Sequence, residues 1–121
     1  MSATPPSKQL STVLIKDDPS DGLWDLVDSG WANENFPELP ALRLEQDPIH
    51  RHKDVLEHTI AVTSQSPPRL RVRLAALFHD VGKPRTRSYE HGGVTFRHHE
   101  AVGARMTKKR MPKLGFTEND T

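Results

Sequence analysis

The chain predicts a mainly α-helical bundle with one small β-hairpin. Three features of its 121 residues point that way. Apolar residues recur at helical spacing in four separate stretches. Alternating apolar and polar residues are confined to positions 86–97, on either side of His91-Gly92-Gly93. Proline closes three of the four helical stretches, at Pro67-Pro68, Pro84 and Pro112. A hydrophobic fraction of 34% against 27% charged residues allows one domain with a thin core.

Residues 1–10, rich in Ser, Pro, Lys and Gln, read as a disordered leader, and 11–45 as a short helical preface. Within the preface, Leu23, Trp24, Leu26 and Val27 predict a helix over 20–28. Ser20 or Asp21 would cap its start, and Gly30 lies just past its end. Phe36 to Leu44, with Pro37 and Pro40, reads as an irregular connector. The main domain is expected over 46–121. Its first helix spans about 53–64, with Val55 and Val62 on the inner face and Leu56 and Ile60 beside them. The next, about 69–81, places Leu70, Leu74, Ala75, Leu77 and Phe78 at helical spacing. Gly82 suits a left-handed C-terminal position and Pro84 blocks continuation. The last helix, about 99–110, turns Val102 and Met106 inward and Arg105, Lys108 and Lys109 outward, and is expected to stop near Pro112. Positions 116–120 carry a helix-start pattern, a Thr cap followed by acids, that meets Thr121 before any helix can follow. The bundle is therefore expected to be truncated before its last helix.

Several function classes drop out. The longest apolar run is five residues, 74–78, too short to span a bilayer. Met1-Ser2-Ala3-Thr4-Pro5-Pro6 has neither the basic start nor the apolar segment of a signal peptide. The absence of cysteine removes disulfides and thiolate metal cages. These features lead to the expectation of a soluble, cytoplasmic protein. A P-loop, a zincin helix and a serine-nucleophile elbow are all missing. The basic run Lys108-Lys109-Arg110 with Lys113 could touch RNA backbone, but a few neighbouring cations at a helix end are more often plain solvation.

The seven histidines all fall between positions 50 and 99. Within that window Phe78-His79-Asp80-Val81-Gly82-Lys83 sets an imidazole and a carboxylate side by side at a helix end, where unpaired carbonyls favour a cation. His58, one helix earlier and on the face of Val55 and Val62, adds a second imidazole. A core histidine needs a partner, which a backbone carbonyl or a metal ion would supply. Nitrogen and oxygen donors without sulfur suit Mg, Mn, Fe, Co, Ni or Zn and do not choose among them. Such an ion lowers the pKa of a water and polarises a phosphoryl oxygen. Lys83, Arg85 and Arg87 follow as a basic triplet placed to hold substrate phosphate, or to lie in water as ordinary surface cations.

His58 followed about twenty residues later by His79-Asp80-Val81-Gly82-Lys83 resembles the HD superfamily of metal-dependent phosphohydrolases. The HD domain of bacterial CCA-adding enzymes and poly(A) polymerases is the nearest resemblance. His52-Lys53-Asp54-Val55-Leu56-Glu57-His58-Thr59 looks like its first-histidine helix, and Leu74 through Pro84 like its central helix. Val94-Thr95-Phe96 through His99-Glu100-Ala101-Val102-Gly103-Ala104 looks like its hairpin and following helix. The resemblance runs from about residue 11 to the end. It implies a divalent metal ion held by His58, His79 and Asp80, with His99 as a further ligand or phosphate contact and His98 beside the phosphate. Asp80 and Lys83 would serve catalysis. Asp54, one turn before His58, would either hold that ring's second N–H or cap the helix. His50, His52 and His91 are expected in solvated loops.

The resemblance implies hydrolysis of a nucleotide or RNA-end phosphate, 2′,3′-cyclic phosphates included. Two parts of the family pattern have no match here. One is the last aspartate ligand, on a helix that would begin at Thr117. The other is the nucleotidyltransferase head, without which this chain alone is not expected to transfer CMP or AMP. The missing ligand leaves two further readings: a catalytically inactive, truncated HD module that binds RNA or a protein partner, and a homo-oligomer in which a second copy completes the site.

Overall fold

The computed structural model describes residues 5–43, 54–90, 93–96 and 99–116, with the backbone alone for 87–90, 93–96 and 99. Seven helices and a strand pair are described: α1 (Pro6–Leu14), α2 (Ser20–Asp28), α3 (Trp31–Asn35), a 3-10 turn (Pro40–Leu42), α4 (Val55–Gln65), α5 (Leu70–Phe78), α6 (Lys83–Thr86), β1 (Arg87–Glu90), β2 (Gly93–Phe96) and α7 (His99–Leu114). None of the described helices is long and apolar enough to cross a membrane.

The N-terminal reading needs correction. Residues 6–10, expected in a disordered leader, form the first half of α1. Pro6 starts it, where its missing N–H costs nothing. Leu10 and Leu14, four residues apart, are both buried. A buried arginine then anchors the end of α1. Arg73, 2% exposed, sends its guanidinium from α5 into the α1–α2 turn, donating to the carbonyls of Leu14 (2.5 Å), Lys16 and Asp17 (3.2 Å), and to Ser66 at 3.2 Å. The planar fork satisfies carbonyls that a closing helix leaves open.

In α2, Leu23 and Val27 face the core as their spacing predicts. Gly30 takes φ +90° beyond its end, where a side chain would be strained, and α3 follows immediately. One core joins the preface to the rest, from Leu10 through to Phe116. Phe36 stacks on Phe78 of α5 with ring centroids 4.6 Å apart. The buried face of α4 passes through Leu56, Thr59, Ile60 and Thr63, with Val62 only half-buried, so it is rotated from the expected Val55–Val62 line.

Helix α5 stops at Phe78, three residues short of expectation. Gly82 does not adopt the left-handed conformation predicted for it; Gly30 and Gly115 do, among the described residues. Its smallness serves packing instead. A Cβ on Gly103 of α7 would lie 3.3 Å from the Gly82 amide nitrogen, so the two backbones meet directly. Pro84 does not end helical structure either, but sits in the first turn of the short α6. β1 and β2 pair antiparallel, Arg87 opposite Phe96 and Glu90 opposite Gly93.

Helix α7 also outruns its expected end. It continues through Pro112 to Leu114, because Met111, Leu114 and Phe116 all bury their side chains. Gly115, at φ +105°, then closes it with paired reverse bonds: Phe116 N–H to Met111 carbonyl (3.1 Å) and Gly115 N–H to Pro112 carbonyl (3.0 Å). Arg110 Nε reaches both oxygens of Glu38, at 2.9 and 3.0 Å, and ties α7 to the connector. Residues 117–121, with the helix-start pattern, lie outside the described residues.

Candidate metal centre

The Asp54 carboxylate accepts the Glu57 N–H at 2.7 Å and so caps α4, the second of the two roles open to it. One turn on, His58 points from α4 toward the end of α5. The two helices pack side by side, which brings residues 21 positions apart in sequence into one place. The His58 and His79 rings stand 6.0 Å apart between centroids, tilted by 58°.

His79 closes α5 and Asp80 begins the turn that follows. His79 is 37% exposed at its side chain, whereas Asp80 is 3% exposed as a residue. His79 Nε2 lies 2.9 Å from Asp80 Oδ2, and Lys83 Nζ approaches the same oxygen at 3.3 Å. The other ring nitrogen of His79, Nδ1, meets the Ala76 carbonyl. Both ring nitrogens therefore face acceptors, an arrangement that the doubly protonated ring satisfies. The hydrogen bond to Asp80 accordingly raises the His79 pKa above its ordinary value, against the opposing effect of burial and with help from the Ala76 carbonyl. For Asp80, burial pushes upward, but the His79 hydrogen bond and the charges of His79 and Lys83 outweigh it and hold the carboxyl at about 2.

One ligand atom from each of His58, His79 and Asp80 lies within 4.8 Å of the other two. Two imidazoles and an ionised carboxylate form a donor set that suits a borderline or hard divalent cation. The Ala76 carbonyl fixes the Nδ1 proton of His79 and turns Nε2 toward the shared space, a common arrangement behind a ligating histidine. The residues present thus fit a metal ion. His58, His79 and Asp80 would hold such an ion, with the Lys83 ammonium beside it at Asp80.

Residues 49–120 match the HD domain family. The chain belongs to the HD domain family. As an HD domain it falls within the superfamily of metal-dependent phosphohydrolases. Among curated proteins it is similar to the A-adding tRNA nucleotidyltransferase of Deinococcus radiodurans, at 35% identity over 114 residues, which covers 88% of this chain and 26% of that protein. It is also similar to the CC-adding tRNA nucleotidyltransferase of Thermus thermophilus, at 35% identity over 119 residues, 90% of this chain and 27% of that protein. The HD chain thus spans about a quarter of the length of these relatives. No solved structure matches it.

The other candidates divide by position. Lys83 stands at the centre, its side chain 12% exposed. Arg85 is exposed on α6, Arg87 begins β1 and His99 begins α7. His98, His50, His52 and His91 lie outside the described residues. The ion pair of Lys83 with Asp80 was missed in the sequence reading, although its i, i+3 spacing was available as a signal. Also missed was a cleft of about 900 Å³ beside His79, walled by α5, α7 and Phe116. Its residues are scattered over forty positions, and no local pattern links them.

Proposed function

We propose that this HD domain is a metal-dependent phosphohydrolase or phosphodiesterase acting on a nucleotide or RNA-end phosphate, including 2′,3′-cyclic phosphates. The observation that carries the proposal is the convergence of His58 on the His79–Asp80 pair. His58, His79 and Asp80 hold a divalent ion, with His99 as a fourth ligand. Once bound, the ion supplies an activated water and polarises the phosphoryl group. Lys83 leaves Asp80 for the substrate phosphate, where its ammonium offsets charge developing on the phosphoryl oxygens. Arg85 and Arg87, close to Lys83 in sequence, and His98 add positive charge or hydrogen bonds around the phosphate. Asp80, held ionised, keeps its oxygens available as acceptors and orients the centre. The relatives named above are tRNA nucleotidyltransferases, which favours an RNA end as substrate.

Elemental analysis combined with an assay on 2′,3′-cyclic nucleotides tests the proposal. Stoichiometric metal and phosphate-ester hydrolysis, both lost in the double variant His79→Ala with Asp80→Ala, are the expected result. Hydrolysis that persists in the metal-free double variant overturns it. A folded wild-type protein that holds no metal and turns nothing over supports the non-catalytic RNA- or partner-binding module instead.

A further inference from the structure

His79 belongs to two places at once. It is a member of the His58–His79–Asp80 group, and it forms part of the wall of the cleft between α5 and α7. The cleft and the candidate metal centre therefore share the His79 side chain. The volume, about 900 Å³, falls in the range of small-molecule sites, about 300–1,000 Å³. The lining is mostly apolar. Phe78 and Phe116 contribute ring surface, and Ala75 of α5 and Ala104 of α7 line it with short side chains. Polar groups come from one stripe of α7, with Glu100 and Lys108 eight residues apart on either side of Ala104.

We propose that this cleft receives the nucleobase of the substrate, so that the domain prefers nucleoside phosphates to phosphate esters without a base. The proposal rests on the phosphohydrolase reading for the position of the phosphate. A base has a flat π-face that gains from burial against alanine and phenylalanine, and stacking of this kind is sequence-tolerant. Its edge carries both donors and acceptors, which a carboxylate and an ammonium at the rim can meet. A sugar phosphate is polar throughout and gains little from such walls. The phosphate of a nucleotide whose base enters the cleft emerges at His79, within reach of the Lys83 amine beside Asp80.

Calorimetric titration of the full chain with AMP and with ribose 5-phosphate, both in Mg²⁺, tests the assignment. The expected result is AMP binding at least about 5-fold tighter than ribose 5-phosphate, since one stacked base is worth about 1–3 kcal/mol. Ala104→Leu and, separately, Ala75→Leu fill the cleft from α7 and from α5. Both positions are solvent-exposed, so leucine is accommodated without disturbing the core. Each variant should bring the two affinities together. Equal affinities in the wild type, a preference that survives both variants, or no AMP binding at millimolar concentration overturns the proposal. The two readings fail separately. Hydrolysis without base preference removes the cleft assignment alone, and a cleft-dependent base preference without metal or hydrolysis removes the phosphohydrolase reading alone.

Discussion

Lys83 Nζ and His79 Nε2 converge on a single oxygen, Oδ2 of Asp80, at 3.3 and 2.9 Å. A buried carboxylate is thus balanced by two cationic side chains from its own turn of chain. An ion held as proposed would compete with Lys83 for this carboxylate and would free the lysine for other work.

That competition predicts opposite effects of one substitution. Lys83→Met removes a positive charge next to the ion's position, so metal affinity should rise severalfold. Hydrolysis of a cyclic nucleotide should fall by about 10²-fold, the usual cost of losing one group that stabilises transition-state charge. Metal titration and steady-state kinetics on the same preparation check both signs. A fall in both quantities would assign Lys83 to holding the loop together.

The metal-free protein should be most stable in a window of pH set by the same pair. Asp80 has its folded pKa lowered to about 2 from 3.8, so its contribution is complete above about 3.8 and is lost as pH falls toward 2. His79 has its folded pKa raised, so its contribution is complete below its unfolded value of 6.5 and is lost as pH rises through the folded one. Stability from the pair should therefore peak between about pH 4 and 6.5 and decline on both sides, on the acid side by about 1–2 kcal/mol, or several degrees in Tm. Thermal unfolding in chelator across pH 2–9 measures it, and Asp80→Asn should flatten the profile.

Gly103 sets how closely α7 approaches the turn that carries the site. Its missing side chain faces the Gly82 amide at a distance a Cβ would reduce to 3.3 Å. Gly103→Val should push α7 outward and cost about 1–3 kcal/mol through overpacking. It should also weaken metal binding, because the displaced turn holds Asp80 and Lys83. Denaturant unfolding and metal titration test the two consequences.

Arg73→Met should leave the carbonyls of Leu14, Lys16, Asp17 and Ser66 without their buried donor. The expected loss is about 3 kcal/mol, as unsatisfied buried acceptors are costly. Hydrogen exchange should accelerate first in α1, whose C-terminal end this arginine holds. Lysine should not rescue it, because one ammonium cannot reach carbonyls spread over two loops.

The helices with the clearest periodicity, α2, α4 and α5, were legible in the sequence because their apolar spacing is a local property of the chain. His79 and Asp80 were legible too, being adjacent at a helix end. Helices α1 and α3 were not. Helix α3 is only five residues long, and α1 owes its anchorage to Arg73, fifty-nine residues away from Leu14. The continuation of α7 past Pro112 was missed for a similar reason: burial of Leu114 and Phe116 outweighs the hydrogen bond that proline forfeits.

By itself the sequence determined the helical class, the candidate ligands and the family resemblance, since each rests on residue type and short-range spacing. Only the tertiary structure decided that His58 meets His79 and Asp80, that Lys83 shares their oxygen, that Gly82 and Gly103 touch, and that a cleft opens beside His79. Those are distances between helices. They depend on how α4, α5 and α7 pack, and packing is a balance among many distant side chains that no single stretch of sequence records.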